Sequence, residues 1–281
     1  MTVSQSEKGK QFRALHDAPR TFVIPNPWDI GTARILAALG FRALATTSAG
    51  LAFSRGRRDG EGLVTRDEML AHARTIVEAT DLPVSADLEN GFADEPNAVA
   101  ETIRMAAAAG LVGGSVEDAT GDPSRPIYDL TQAVERVAAA VEAARSLPFP
   151  FVLVARAENF LHGRPDLDDT IRRLKAFAAA GADVLYAPGL PNLEAVKAVC
   201  AAVSPRPVNV LGGAKGGAFT VENLAAAGVR RISVGSALSR AALGAFLRAA
   251  REIADKGTFT FGEQAAPFAE LNKFMISSEN Q

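Results

Sequence analysis

At 281 residues, 48% of them hydrophobic and 22% charged, the chain is long enough to bury a large core, as one α/β barrel or as two smaller domains. A formal net charge of -2 argues against a nucleic-acid surface, which needs a concentrated basic face, and no apolar run approaches the ~20 residues of a membrane span. The opening stretch MTVSQSEKGKQF lacks the plan of a signal peptide, and a lone cysteine, Cys200, permits no intrachain disulfide, so a reducing cytoplasm is expected.

Along the chain, short β-branched runs alternate with Ala-rich segments of helical spacing. The predicted strands are TFVIPN (21–26), RALATTS (42–48), PVSADLE (83–89), LVGGSVED (111–118), FVLVARAEN (151–159), ADVLYAPG (182–189), PVNVLGG (207–213) and RRISVGS (230–236). Their apolar character is nearly continuous, as in strands covered on both faces. Between them, helical patterns end at Gly40, Gly110, Gly181 and Gly228, where a left-handed cap is expected. Helix, glycine, strand, repeated about eight times, predicts a parallel (β/α)₈ barrel over residues 1–245. An open doubly wound sheet is the competitor, but PNPWDIGTA stands where its G-x-G-x-x-G would follow the first strand. Residues 246–281 form a predicted C-terminal helical extension, and the apolar residues after Gly257 predict that it packs on a neighbouring subunit.

In such a barrel chemistry gathers where strands end and βα loops begin. The strand ends supply Ser48, Asp87, Glu89, Glu117, Asp118, Arg156, Glu158 and Asn209, with Asp59 in the loop after the second strand. Carboxylates meeting at one rim would repel unless a cation joined them. With only oxygen donors at these positions, Mg²⁺ or Mn²⁺ is expected rather than zinc. Asp87 and Glu89, two apart on a strand, should point the same way into the barrel mouth. Asp118 and Glu158 divide evenly between site and salt-bridge roles. Arg156, ending the apolar run FVLVAR, must find an anion, with a substrate carboxylate preferred over Glu158. The small-residue turns TTSAG (46–50) and VGSA (234–237) offer N–H groups to a carboxylate or oxyanion.

These residues carry a resemblance. NPWDIGTARILAALGFRALATTSAGLAFSRGRRDG is similar to the opening of the isocitrate lyase/phosphoenolpyruvate mutase superfamily; PVSADLENGF resembles its metal strand, GGSVEDA its Glu-Asp strand and VARAENF its Ala-Arg strand. The resemblance runs from about residue 20 to 245. It implies metal held by Asp87, Glu89 and Glu117, directly or through water and with Asp59 contributing, a 2-oxo acid held by Ser48, Ala49, Gly50 and Arg156, and a homodimer or homotetramer; Asn209, at the end of the seventh strand, is a further candidate substrate contact. The catalytic set is then Arg156, Asp59 and Glu117.

Three departures qualify it. Glu89 replaces a usual Asp, Ala93 follows Phe92 where a glycine is common, and the loop EDATGDPSRPIYDL carries neither the Cys-bearing segment of the lyases nor the Lys-Thr-Asn segment of the mutases. Cys200 falls on a helix, where a buried inert thiol is expected. Decarboxylation of oxaloacetate needs little beyond a polarised oxo group, and so leads the expected reactions. Cleavage of 2-methylisocitrate follows; C–P chemistry, for which only Arg125 is at hand, and mere binding of a 2-oxo acid complete the set. Asp29 and Thr32 read as a helix cap beside a packing Trp28. His16 and His72 read as surface residues, His162 as a solvated loop residue near the rim, and Tyr186 as a lesser substrate contact.

Overall fold

The computed structural model describes residues 3–213 and 219–275. Its eight strands are β1 Phe22–Ile24, β2 Leu44–Ala45, β3 Val84–Asp87, β4 Gly113–Glu117, β5 Val152–Arg156, β6 Val184–Tyr186, β7 Val208–Leu211 and β8 Arg231–Ser233. All pairings are parallel, in the order β1-β8-β7-β6-β5-β4-β3-β2. The seam between β1 and β2 is bridged by the Ala45 N–H, which donates to the Pro25 carbonyl at 3.0 Å. Asn26 ties the same seam: its Nδ2 donates to the Thr46 carbonyl at 2.8 Å, and its Oδ1 accepts the N–H groups of Val234 and Gly235 at 2.9 Å each. The sheet is thereby a nearly closed (β/α)₈ barrel. Each strand is shorter than its apolar run, because the run continues into the loop that turns over the barrel mouth.

The helices are α1 Gln5–Asp17, α2 Ile30–Ala38, α3 Ser48–Ser54, α4 Arg66–Glu78, α5 Pro96–Ala108, α6 Leu130–Arg145, α7 Leu167–Ala179, α8 Leu193–Val203, α9 Val221–Ala226, α10 Ala237–Lys256 and α11 Phe268–Phe274. Four of them, α2, α5, α7 and α9, run out into Gly40, Gly110, Gly181 and Gly228 at φ between 85° and 100°, a backbone region that costs glycine nothing. Asp29 caps α2 as expected, its Oδ1 accepting from the Thr32 N–H at 2.7 Å.

Apolar side chains between the strands and the helix ring make the bulk of the core. A separate cluster fills the barrel itself, with Ile24, Ala45, Val112, Val152, Val154 and Val184 closed from below by Phe12 of α1. Phe12 fits because β4 opens with glycine: a Cβ at Gly113 would lie 2.7 Å from the Phe12 ring and 2.9 Å from the Val152 carbonyl. The helix that precedes the barrel therefore plugs the N-terminal end of the strands, leaving the C-terminal end free.

Here two sequence expectations fail. His16 and His72 are buried rather than exposed. His16 lies edge-on between Phe12 and Phe22 with its Nδ1 2.8 Å from the Phe12 carbonyl, and burial pushes its pKa down to about 3. His72 Nε2 lies 2.8 Å from the Trp28 carbonyl. Both sit on the apolar faces of helices, where a histidine is held neutral.

At the other end of the chain, α10 runs through position 245, so the expected boundary falls inside a helix. The chain then returns through a 3₁₀ turn (Thr260–Gln264) to α11, where Arg34 Nη1 donates to the Met275 carbonyl at 3.0 Å. Residues 276–281 of the expected extension lie outside the described set. Phe246, Phe259 and Phe268 are 66%, 68% and 82% exposed. No helix among the described residues is long and apolar enough to cross a membrane.

Candidate active site

Strands ending at one level deliver their last polar side chains to one rim. Arg156, last in β5, is the hub: its Nη1 lies 3.0 Å from Asp87 Oδ1 and 3.0 Å from Glu117 Oε2, and its Nε lies 2.8 Å from Glu158 Oε1. Its guanidinium carbon also stands 5.2 Å from the Tyr186 ring centre. Burial works against the Arg156 charge, but Glu117, Glu158 and Asp87 outweigh it and hold the pKa above the ordinary arginine value. Sequence reasoning gave Arg156 to a substrate carboxylate first; in the structure its partners are the protein's own acids.

One arginine does not neutralise five acids. Burial raises the pKa of Glu89 to about 7, helped by the charges of Asp87 and Asp59. Burial and Asp87 raise Asp59, against a hydrogen bond from Ser48. Glu117 is raised well above the usual carboxylate range, by burial first and then by its acidic neighbours, although Arg156 pulls the other way. Acids so displaced at the open end of a barrel make this rim the candidate functional site.

Glu89 reaches the rim by an unexpected route. β3 stops at Asp87, and Glu89 stands in the left-handed region at φ 47°, as does Phe92 at 57°. The period-2 argument, which needs a continuing strand, does not apply; a strained turn aims the side chain. That turn is clamped from outside. Arg136 of α6, almost wholly buried, donates to the carbonyls of Asn90, Ala93 and Asp94 and stacks 4.1 Å from the Tyr128 ring, whose hydroxyl bonds Asp94.

A second layer orients the first. Asp118 turns away from the mouth: its Oδ1 accepts the Glu158 N–H at 2.8 Å and its Oδ2 pairs with Arg173 at 3.0 Å. Arg173 also holds Asp169, which receives Asn159 Nδ2 at 2.7 Å. Of the two acids divided evenly on sequence, Asp118 is thus structural and Glu158 is the outer anchor of Arg156.

Two connected cavities open from this rim. The inner one, of about 150 Å³, descends into the barrel between Ser48, Ala49, Asp87, Arg156, Tyr186 and Asn209. The outer one, of about 840 Å³, lies under the loops and is lined by Asp59, Glu89, Glu117, Glu158 and His162 among others. Ser48 and Ala49 open α3, and the Ser48 N–H lies 3.3 Å from Asp87 Oδ2. Gly50 lines neither cavity: its N–H donates to Thr47 Oγ1, and a Cβ there would lie 2.6 Å from Thr47 and 2.9 Å from Trp28, so its task is packing. Asn209 is buried, with Nδ2 donating to Ser233 Oγ at 3.0 Å and Oδ1 without a partner among the described residues. Burial lifts the Tyr186 hydroxyl to about 12, keeping it protonated. Sequence reasoning missed Asn26 and Arg231, which also line the inner cavity.

The donor set consists of hard oxygens, which suits Mg²⁺ or Mn²⁺. Among the described residues, no three His, Cys, Asp or Glu side chains are grouped so as to hold a metal by themselves. The expected trio Asp87, Glu89 and Glu117 is therefore not a ready-made direct cage. Magnesium keeps several waters, so the residues that would hold it are Asp87, Asp59, Glu89 and Glu117, directly or through water.

Residues 12–254 match the family model described as phosphoenolpyruvate phosphomutase. A crystal structure of a protein from Burkholderia cenocepacia J2315, provisionally described as a lyase/mutase, superposes with a TM-score of 0.94 at 59% identity, over 99% of this chain and 98% of that one. An uncharacterized protein of Mycobacterium tuberculosis (strain ATCC 25618 / H37Rv) is 32% identical over 273 residues, 96% of this chain and 98% of that protein. Oxaloacetate acetylhydrolase in complex with its product oxalate superposes with a TM-score of 0.85 at 26% identity, over 97% of this chain and 94% of that one. Fold and relatives together define the class, a (β/α)₈-barrel enzyme of lyase chemistry acting on a small molecule. Within that class the chain belongs to the phosphoenolpyruvate phosphomutase family of the isocitrate lyase/phosphoenolpyruvate mutase superfamily. Members of the superfamily include 2-methylisocitrate lyase, oxaloacetate acetylhydrolase and phosphoenolpyruvate phosphomutase, and they are generally dependent on a divalent metal.

Proposed function

We propose that this enzyme is a Mg²⁺-dependent carbon–carbon lyase for a small 2-oxo dicarboxylic acid, with decarboxylation of oxaloacetate its principal reaction. The observation that carries the reading is the inner cavity: a surplus of carboxylates around Arg156 at its mouth, and neither imidazole nor thiol among its lining residues. Asp87 would hold a divalent ion, whose chemistry there would be Lewis-acid polarisation of a 2-oxo group. Ser48 and Ala49 border the same space and hold the oxo-carboxylate end, with Asn209 opposite. Arg156 fixes Asp87 and Glu117 in place, and Tyr186 closes one wall as a neutral phenol. Loss of CO₂ requires no base, which matches a cavity that offers none beyond its carboxylates. A volume of about 150 Å³ equals about five waters at liquid density, the scale of a three- or four-carbon acid.

Cleavage of 2-methylisocitrate is the second reading. It is favoured by His162, an imidazole in the larger outer cavity that is able to take a hydroxyl proton. C–P chemistry finds no support in Arg125, which is exposed, lies over the Tyr128 ring at 5.7 Å and lines neither cavity. Pyruvate release from oxaloacetate and from 2-methylisocitrate, each with and without Mg²⁺, separates the two. Mg²⁺-dependent turnover of oxaloacetate is expected; turnover of 2-methylisocitrate alone would replace the first reading with the second. The exposed Phe246, Phe259 and Phe268 fit a homo-oligomer built through α10 and the segment after it. A monomer in light scattering at micromolar concentration would contradict that assembly.

A further inference from the structure

Register connects the rim to the interior of the barrel. Glu117 pairs with Arg156, Arg156 with Tyr186, Tyr186 with Asn209, and Asn209 with Arg231. The first three end their strands, Asn209 is second in β7, and Arg231 is first in β8. The row therefore descends from the open end toward the plugged end, and its last member is a second arginine.

Arg231 is 4% exposed and lines the inner cavity. Its Nε and Nη1 are buried without a hydrogen-bond partner, and no ion pair to it exists among the described residues. Below it lies the Phe12 ring, 5.9 Å from the guanidinium carbon. The titratable groups facing it are Tyr186, a neutral phenol, and His16, which burial and the Arg231 charge itself keep neutral. A buried guanidinium without a counter-ion is strongly unfavourable unless an anion joins it. Asn209, its register neighbour, adds a polar side chain to the same cavity.

We propose that Arg231, with Asn209, forms an anion subsite at the floor of the inner cavity, and that this subsite takes the second carboxylate of a dicarboxylic 2-oxo acid whose oxo-carboxylate end sits at the rim. The proposal rests on the lyase reading and deepens it: Arg231 selects two-ended acids over monocarboxylates. In decarboxylation the departing carboxylate loses its charge as the C3–C4 bond breaks, its electron pair staying on C3 while CO₂ leaves neutral. The Arg231 contact is then stronger in the ground state than in the transition state.

The test is calorimetric binding to the full chain, wild type and Arg231→Met, with Mg²⁺ present. Oxalate, which spans only the rim, should bind both within about threefold, whereas 3,3-difluorooxaloacetate should weaken about 10- to 100-fold in the variant. Equal weakening of both ligands, or of neither, overturns the subsite. Succinate without metal separates this proposal from the lyase reading. If oxalate fails to bind wild type but succinate binds and is lost in Arg231→Met, the subsite stands and the lyase reading falls; equal succinate affinity in both proteins overturns the subsite. Turnover of oxaloacetate should show a raised KM with kcat unchanged or higher, and a fall in kcat alone contradicts the proposal. Removing an uncompensated buried charge should also raise the ligand-free Tm by about 2–4 °C. Should Arg231→Met not fold, Arg231→Lys keeps the charge and should retain the preference for the dicarboxylate over oxalate; loss of that preference overturns the proposal.

Discussion

The two ends of the barrel each carry a buried ionic cluster, and they differ in what balances them. At the floor, Asp183 receives Arg13 at 2.8 Å, Arg145 at 2.6 Å and the Leu153 N–H at 2.8 Å. Burial would raise its pKa, but these donors lower it below the ordinary value. The two arginines are 29% and 48% exposed, so water carries their surplus charge. At the rim the surplus is negative and shut in: Asp87, Glu117, Glu158 and Arg156 are all below 20% exposed. The Asp183 cluster is a satisfied structural joint, while the rim, among the described residues, carries more carboxylates than cations, a surplus that a bound cation or proton relieves. Barrel enzymes keep stability at one end and chemistry at the other, and here the division shows in the arithmetic of a few side chains.

Asp87→Ala should make the widest break between the two ends. It is expected to lower kcat/KM at least about 100-fold, while the metal-free Tm stays level or rises because one mutually repelling acid is gone. A substantial fall in Tm with activity retained would make Asp87 structural. Asp183→Ala is expected to do the reverse. It leaves the Leu153 N–H and two arginines without their acceptor, costs about 2–3 kcal/mol and so lowers Tm by about 5–10 °C, with kcat/KM within about threefold at permissive temperature.

Stability against pH sharpens the contrast further. His16 at the floor titrates near 3 when folded against 6.5 unfolded. Its stabilisation is complete above pH 6.5 and is lost as pH falls toward 3. Glu89 at the rim titrates near 7 when folded against 4.5 unfolded. Its folded form binds a proton that the unfolded chain has released, so stability is full below pH 4.5 and is lost as pH rises through 7. Between pH 4.5 and 6.5 the two contributions therefore oppose each other, and from pH 6.5 through 7 only the Glu89 loss remains; in a urea titration of the metal-free protein both Glu89→Gln and added Mg²⁺ should remove that loss. An unchanged slope in Glu89→Gln would assign it to other groups. The smallest effect belongs to Cys200, which burial pushes up to about 11. Cys200→Ala should leave kcat within about twofold, and a large loss would mean that the thiol is catalytic.

How much of this was legible in the sequence depended on whether a residue followed its element's rule. The strands were readable because apolar runs covered on both faces leave few alternatives, and the helix ends because Gly40, Gly110, Gly181 and Gly228 each occupy a backbone region that other residues avoid. Asp87, Glu117 and Arg156 could be placed at one rim for the same reason: each is the last residue of its strand. Glu89 was placed correctly by a wrong argument, although the following Asn90-Gly91 is a turn signal that already marked the end of the strand. His16, four residues after Phe12 on one helix face, carried a legible sign of burial that its polarity obscured. Arg231 was lost because an arginine at the head of a strand reads as a solvated edge. Its inward direction follows only from closure, which places β8 beside β1. Gly50 resembled a ligand-binding backbone but is fixed by side-chain volumes from Trp28 and Thr47, which no spacing rule reveals.

Oxalate binding with and without Mg²⁺, in wild type and in Asp87→Ala, tests most directly whether acids from separate strands serve one hard cation that grips a 2-oxo acid. Wild type should bind oxalate only when Mg²⁺ is present, with the two affinities coupled, and Asp87→Ala should bind neither tightly. Oxalate bound equally well in EDTA, or Mg²⁺ and oxalate both retained by Asp87→Ala, would contradict the metal site.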